Sequence, residues 1–326
     1  MRIAAFILIL AACLSASSQE PTALKDKAGT WTYGFLDDAN TKLYCQQYAM
    51  TLAEKETLKK KLDAIVEALH KIPVLAEPKG VDPTVESRPY NPYDFKRYPE
   101  NYPYIGEMNF RLITWYNSKG KDWRQTIEPP RMTLYTNNIH LLKRSALNVA
   151  GPEGDDVKKA EILVNEICKP DKIKELAPNV VLYDAAIVVT KPGRQLYLPC
   201  TVGEAYKRLI AYYEASAKKE PAFGVVLQGI KSEYSSLTPG QLGGPAYFGG
   251  MFSGITPQKN NDPLYLFNNE YFDRSKPKTD VQLIVFPIDA DYFRKESDFV
   301  PNDVGFLRIY QVLHALDYAA LAKLID

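Results

Sequence analysis

A chain of 326 residues with 46% hydrophobic and 24% charged residues and a mean hydropathy of −0.27 has the make-up of a globular protein, one large domain or two small ones. Its 40 basic and 39 acidic residues leave a net charge of +1, and no basic stripe runs along it. That balance argues against nucleic acid as a partner.

Met1 and Arg2 open with one side-chain positive charge, residues 3–14 are apolar apart from Cys13, and small residues follow to Ser18. This three-part order predicts a secretory signal peptide over 1–18. The run is far too short for a spanning helix, which needs about 20 apolar residues. Two outcomes stay open within that reading. Leu10-Ala11-Ala12-Cys13 resembles a bacterial lipobox, which implies a lipid on Cys13 and an anchored protein. The other outcome is cleavage after Ser18, which leaves a periplasmic or secreted chain. In either case contact with the membrane is expected only through a lipid at Cys13.

Residues 19–104 read as an exposed leader, a surface helix over 38–71 and a Pro/Tyr-rich strap, followed by a main domain over 105–326. The helix carries Leu58, Leu62, Ile65, Val66 and Leu69 on one face, with lysines and glutamates opposite. The strap, 73–104, centres on "RPYNPYDFKRYPENYPYIG", where Pro89, Pro92, Pro99 and Pro103 work against helix and central strand alike. It is either an extended connector or an aromatic platform for a glycan.

From residue 106 onward the pattern is mixed. "FRLITWY", "RMTLYTNNI", "VVLYDAAIVVT", "PLYLF" and "TDVQLIVFPI" are β-branched and aromatic runs of strand type. Residues 156–168 have helical spacing. "TVGEAYKRLIAYYEASAKKE" starts with a Thr201/Glu204 capping box and ends in lysines, as a helix dipole favours. A second helix is expected over 225–237, weakened by Gly229, with Thr238-Pro239 as a further helix start. "PGQLGGPAYFGGMFSG" should lack regular structure, and "FLRIYQVLHALD" suits a strand or a helix. Strands and helices alternate without βαβ order, so the expected class is α+β, with a mixed or antiparallel sheet and several packed helices.

Recognisable catalytic chemistry is scarce. The three histidines, His70, His140 and His314, form no metal-binding spacing, and there is no GxSxG elbow. The glycine run lacks the spacing of a phosphate cradle, so no nucleotide and no cofactor or metal is expected. It is either a surface loop or a mobile, ligand-approaching segment. Asp289, Asp291, Glu296, Asp298 and Asp303 read as a solvated acidic loop. Outside Cys13, the thiols are Cys45, Cys168 and Cys200. In an oxidising compartment Cys168 and Cys200 are the candidate disulfide, with three buried reduced thiols as the alternative. Tyr247, Phe248, Tyr271, Asp273 and Arg274 are the candidate ligand-binding residues; Tyr271, Asp273 and Arg274 form either a recognition edge or, the preferred reading, a structural turn with Asp273 as turn former.

"FNNEYFDRSKPKTDVQLIVF", "TVGEAYKRLIAYY" and "PVLAEPKGVD" resemble stretches in exported, uncharacterised proteins of Bacteroidota-type bacteria. The resemblance implies export and a shared fold, and it carries no known activity. The expected function is that of an exported envelope protein. It would bind a glycan or an envelope protein through aromatic and glycine-rich loops without catalysis. The alternative is a secreted hydrolase of glycan or peptide working through acidic residues.

Overall fold

The computed structural model describes residues 21–90, 102–288 and 303–326. The signal segment with Cys13, residues 91–101 of the strap, and Asp289, Asp291, Glu296 and Asp298 lie outside the described residues. The leader contributes β1 (Thr22–Ala23) and β2 (Thr32–Phe35), both paired into a sheet. The helix expected over 38–71 is two helices, α1 (Ala39–Gln47) and α2 (Leu52–His70). Local chemistry makes the break. Ala49 sits at φ 49°, and the Thr51 hydroxyl accepts from the Glu54 N–H at 3.2 Å while the Glu54 carboxylate accepts from the Thr51 N–H at 2.8 Å. That reciprocal box begins a new helix inside a charge pattern that runs on unbroken.

The strap is corrected more deeply. After α3 (Pro73–Ala76), residues expected to be an extended connector form β3 (Val81–Pro89), paired along its length with β4 (Gly106–Ser118). The prolines are tolerated for a geometric reason. Trp115 donates to the Gly80 carbonyl and Tyr90 to the Ile105 carbonyl, so even-numbered residues of β3 face β4 with their amides. Pro83 and Pro89 therefore turn their missing donors toward β2, and β2 pairs only with 84–87.

The chain continues through β5 (Lys121–Arg124), β6 (Arg131–Thr136), a 3-10 turn (Ile139–Leu142), α4 (Asp155–Val164), β7 (Ile167–Cys168) and β8 (Lys172–Ala177). "VVLYDAAIVVT" is a hairpin, β9 (Val180–Tyr183) and β10 (Ala186–Thr190), rather than one strand, because Asp184-Ala185 turns it. Then follow β11 (Tyr197–Pro199), α5 (Val202–Lys219), α6 (Phe223–Ser235), α7 (Pro239–Gly243), β12 (Tyr247–Phe248), β13 (Ile255–Thr256), β14 (Tyr265–Phe267) and β15 (Leu283–Pro287). The ending is helical: α8 (Val304–Ala315), then α9 (Tyr318–Ala322), whose cap Asp317 accepts from the Ala320 N–H at 2.9 Å.

The class is α+β. A ten-stranded sheet runs β2-β3-β4-β6-β15-β10-β9-β8, with β1 and β5 also on β4; only β2 and β3 are parallel. Strand alternation sorts the side chains. Met108, Phe110 and Leu112 of β4, Ile284 and Phe286 of β15 and Ile187 of β10 meet the buried stripe of α2, together with α8 and α9. Burying each such side chain is worth ~2 kcal/mol. On the opposite face β10 and β15 stay apolar, and Val188, Leu283 and Val285 pack on Ile139, Leu142, Tyr271 and Phe272. A separate cluster unites α4, α5 and α6 with the β12–β13 hairpin through Val157, Leu209, Tyr212, Ile230 and Ile255. Between these clusters lies a small sheet, β11-β14-β7. Among the described residues no helix is long and apolar enough to cross a membrane.

Candidate functional site

The five candidate ligand-binding residues separate into two groups. Tyr271 is 1% exposed, and its hydroxyl donates to the Gln282 carbonyl at 2.9 Å and accepts from the Lys191 N–H at 2.9 Å. It is a core tie, and a ligand has no access to it. Asp273 accepts from the Ser275 hydroxyl at 2.6 Å and from its N–H at 3.1 Å, contacts that hold its carboxyl below the usual range; Arg194 stands 3.3 Å away. Arg274 pairs with Glu270 at 2.8 Å and lies over the Tyr102 ring. Both side chains serve the turn, which agrees with the structural reading of 271–274 rather than with a recognition edge.

Tyr247 and Phe248 lie elsewhere, on the β12–β13 hairpin, where Tyr247 pairs with Thr256 and Phe248 with Ile255. Here the glycine run has more order than its composition suggests. At the turn Phe248 is 41% exposed, Phe252 49% and Met251 86%. Val225, on neighbouring α6, is 76% exposed. Gly229 is the seat of the Phe252 ring: a Cβ at 229 would lie 2.8 Å from it. Gly250, at φ 95°, lets the turn close, and a Cβ there would lie 2.6 Å from the Ile255 carbonyl oxygen.

What fixes this turn is Glu233 of α6. One carboxylate oxygen accepts from the Phe252 N–H at 3.0 Å. The other accepts from the Ser253 N–H at 3.2 Å and the Tyr206 hydroxyl at 3.1 Å. Tyr206 in turn accepts from the buried Ser253 hydroxyl at 2.9 Å. Desolvation is the largest single influence on Glu233 and raises its pKa, yet the hydrogen bonds from Ser253, Phe252 and Tyr206 together outweigh it, and the carboxyl sits below its ordinary value. Burial pushes the Tyr206 phenol up to about 12. The turn is thus held by a charged, hydrogen-bonded clamp, so the exposure of its apolar side chains is enforced. α5 carries Tyr206 into place. Its N-cap Thr201 accepts from the Glu204 N–H at 3.2 Å, but the Glu204 carboxylate goes to Arg208 at 2.8 Å, so the expected capping box is half formed.

Sequence reasoning missed Glu233, Tyr206, Ser253, Val225, Met251 and Phe252. One signal was present: residues 234–258 hold no Asp, Glu, Lys, Arg or His, and neither do 221–230. In space the two uncharged stretches meet, because Phe252 rests on Gly229.

A second candidate is a cleft beside the β9–β10 turn, lined by Leu142, Cys168, Tyr183 and Tyr197, with the Arg144–Asp184 pair at 3.2 Å on its rim. Its closed part is about 30 Å³. That is room for a water or two, far below the several hundred Å³ of an ordinary ligand pocket. Burial lifts the Cys168 thiol to about 12, so it is no nucleophile at neutral pH. Cys45, Cys168 and Cys200 are free thiols. Cys168 packs among the residues under β10 and β15 while Cys200 packs in the helical cluster, so the expected disulfide is corrected to two separately buried thiols.

The buried carboxylates are committed to structure. Asp82 accepts from the Thr30 N–H and the Trp115 indole, and Glu107 from Arg88 at 2.8 Å and the Tyr135 hydroxyl at 3.1 Å. Among the described residues no three His, Cys, Asp or Glu side chains come together as a metal site. The class that fold and site define is an α+β protein with a rigid, uncharged apolar hairpin on a helical lobe. Comparison with family models, with curated proteins and with solved structures finds no match.

Proposed function

We propose that the chain is an exported, non-catalytic binding protein of the cell envelope, anchored at Cys13 or released after Ser18, that engages its partner through the β12–β13 hairpin. The observation that carries this reading is the display of Phe248, Met251 and Phe252 on a turn clamped by Glu233. Large exposed apolar patches on a folded surface mark interaction sites, and a rigid turn reduces the ordering cost of binding. The site therefore keeps Phe248 from the sequence-based set and replaces Tyr271 with Met251 and Phe252.

The alternative, a hydrolase working through acidic residues, needs a carboxyl held protonated as general acid. The described carboxylates with displaced ionisation, Asp38, Glu54, Asp122, Glu233 and Asp273, are all displaced downward. The binding reading is tested by retention of the purified protein on isolated envelope membranes, which contain both lipid and protein partners. Burial of one such side chain is worth ~1.5–3 kcal/mol, so Met251→Asp should weaken retention at least roughly tenfold. Retention within twofold of the parent would remove the hairpin from the account. Turnover of a polysaccharide or peptide by the purified protein would favour the hydrolase instead.

A further inference from the structure

We infer that the partner of the hairpin is a phospholipid bilayer surface, into whose headgroup–acyl boundary Met251, Phe252, Phe248 and Val225 insert. This inference rests on the hairpin being the binding surface, and it names what that surface meets.

Shape is the first argument. Met251 is 86% and Val225 76% exposed, so the patch projects rather than recedes. A projecting apolar group requires either a recess in its partner or a medium that takes it in anywhere. A second copy of this chain offers a poor seat: the cleft beside Tyr183 and Tyr197 closes on about 30 Å³, too little for a methionine or phenylalanine side chain, and the wider hollow of about 410 Å³ next to it is open and edged by the charged Arg144 and Asp184. A bilayer needs no matching shape.

Charge is the second argument. The stretches 221–230 and 234–258 contain no charged residue, although 24% of the chain is charged. A carboxylate or ammonium among the inserting groups would have to be desolvated at a cost of several kcal/mol. None of the inserting side chains is charged, and the nearby Glu233 carboxylate is compensated by bonds from the Phe252 and Ser253 amides and the Tyr206 hydroxyl. Lysines stand at the edge: Lys169 Nζ lies 5.9 Å from the Phe248 ring centroid and Lys259 is exposed just after the hairpin, while before α6 Lys218 and Lys219 are offset in part by the exposed Glu220. Apolar tips with lysines at the edge are the arrangement of interfacial insertion, in which long cationic side chains stay at headgroup level. Lys169 is itself paired with Asp262 at 3.2 Å, so the rim is only weakly cationic and insertion should dominate over attraction to anionic lipid.

Rigidity is the third argument. Hydrogen bonds from the Phe252 and Ser253 amides to Glu233 fix the turn, with the Phe252 ring half-exposed on Gly229 and Met251 projecting beside it. The fixed turn also holds Met251 and Phe252 together, so both enter the interface at once.

The test is the full chain carrying Met251→Cys, labelled with a fluorophore that brightens and shifts to the blue on leaving water. It is mixed with vesicles of phosphatidylcholine, or of phosphatidylcholine with one-fifth phosphatidylglycerol. Label at Lys121→Cys, on the exposed β5, is the control, and the parent chain treated alike is the blank. The expected result is a blue shift with several-fold brightening at 251 on both vesicle types, none at 121, and at least a fivefold loss of vesicle affinity on adding Phe252→Ser. Silence at 251 on both vesicle types would overturn the inference, as would an equal response at 121, which marks unspecific adsorption. If the vesicles are silent while Met251→Asp still releases the protein from envelope membranes, the partner is a protein. The bilayer inference then fails and the binding reading survives; if retention is also unchanged, both fail.

Discussion

Replacing Glu233 with alanine removes the acceptor for the Phe252 N–H at 3.0 Å, the Ser253 N–H at 3.2 Å and the Tyr206 hydroxyl at 3.1 Å. Hydrogen bonds to a charged group contribute about 1.5–3 kcal/mol each, but the three share one carboxylate and water reaches the turn, so they do not add. A local loss of about 2 kcal/mol is the expected net. Amide hydrogen exchange reads it directly, since 2 kcal/mol speeds opening by about 30-fold at Phe252 and Ser253. The pH dependence has a definite sign. The folded-state pKa of Glu233 lies below its unfolded value of 4.5, so its contribution is complete above that value and is lost as pH falls through the folded pKa. Glu233→Gln should therefore remove part of the acid-side fall in protection at these amides. Exchange at both positions within twofold of the parent in Glu233→Ala would show that the turn is held by something other than this carboxylate.

Three further outcomes test the packing around the site and the core. Gly229→Ala gains about 1 kcal/mol of helix propensity but puts a Cβ 2.8 Å from the Phe252 ring. Global stability should stay within about 1 kcal/mol by urea unfolding, while membrane retention falls as the ring is displaced. Asn137→Ala should cost about 4 kcal/mol by urea unfolding, because its buried amide donates to the Tyr104 and Asp280 carbonyls and accepts from Gln282 and Leu283; a cost under 1 kcal/mol would contradict that. Cys168 and Cys200, each raised to about 12 by burial, should take up a thiol reagent only on unfolding, and a Cys168–Cys200 peptide in a non-reducing digest would refute the separate burial.

Much of the fold was legible where local signals and tertiary demands agree. α5 announced itself through Thr201, an apolar face and a lysine-rich end, and β4 and β15 through β-branched and aromatic runs. The misses are places where partners decide. β3 was hidden by its prolines, whose harmlessness depends on β2 being short. The edge strand β8 received no assignment from sequence, since Lys172-Ile173-Lys174-Glu175 has a weak local signal and pairs with β9 only through register shifts. Within the site, Phe248 was visible as an aromatic between glycines. Glu233 was not, because its partners lie nineteen and twenty positions further on, at Phe252 and Ser253. Tyr271 misled for a simple reason: tyrosine serves surfaces and cores equally, and only the carbonyl of Gln282 identifies its role.

Methionine oxidation offers the most direct measurement. Among the described methionines Met50, Met108 and Met132 are buried and Met251 is 86% exposed, so peroxide should convert Met251 first in the free chain. With isolated bacterial envelope membranes added, the account predicts that sulfoxide formation at Met251 slows by about tenfold, the change expected from ~1.4 kcal/mol of protection, while a reference peptide oxidises at its usual rate. An unchanged rate at Met251 in the presence of membranes that retain the protein would contradict it.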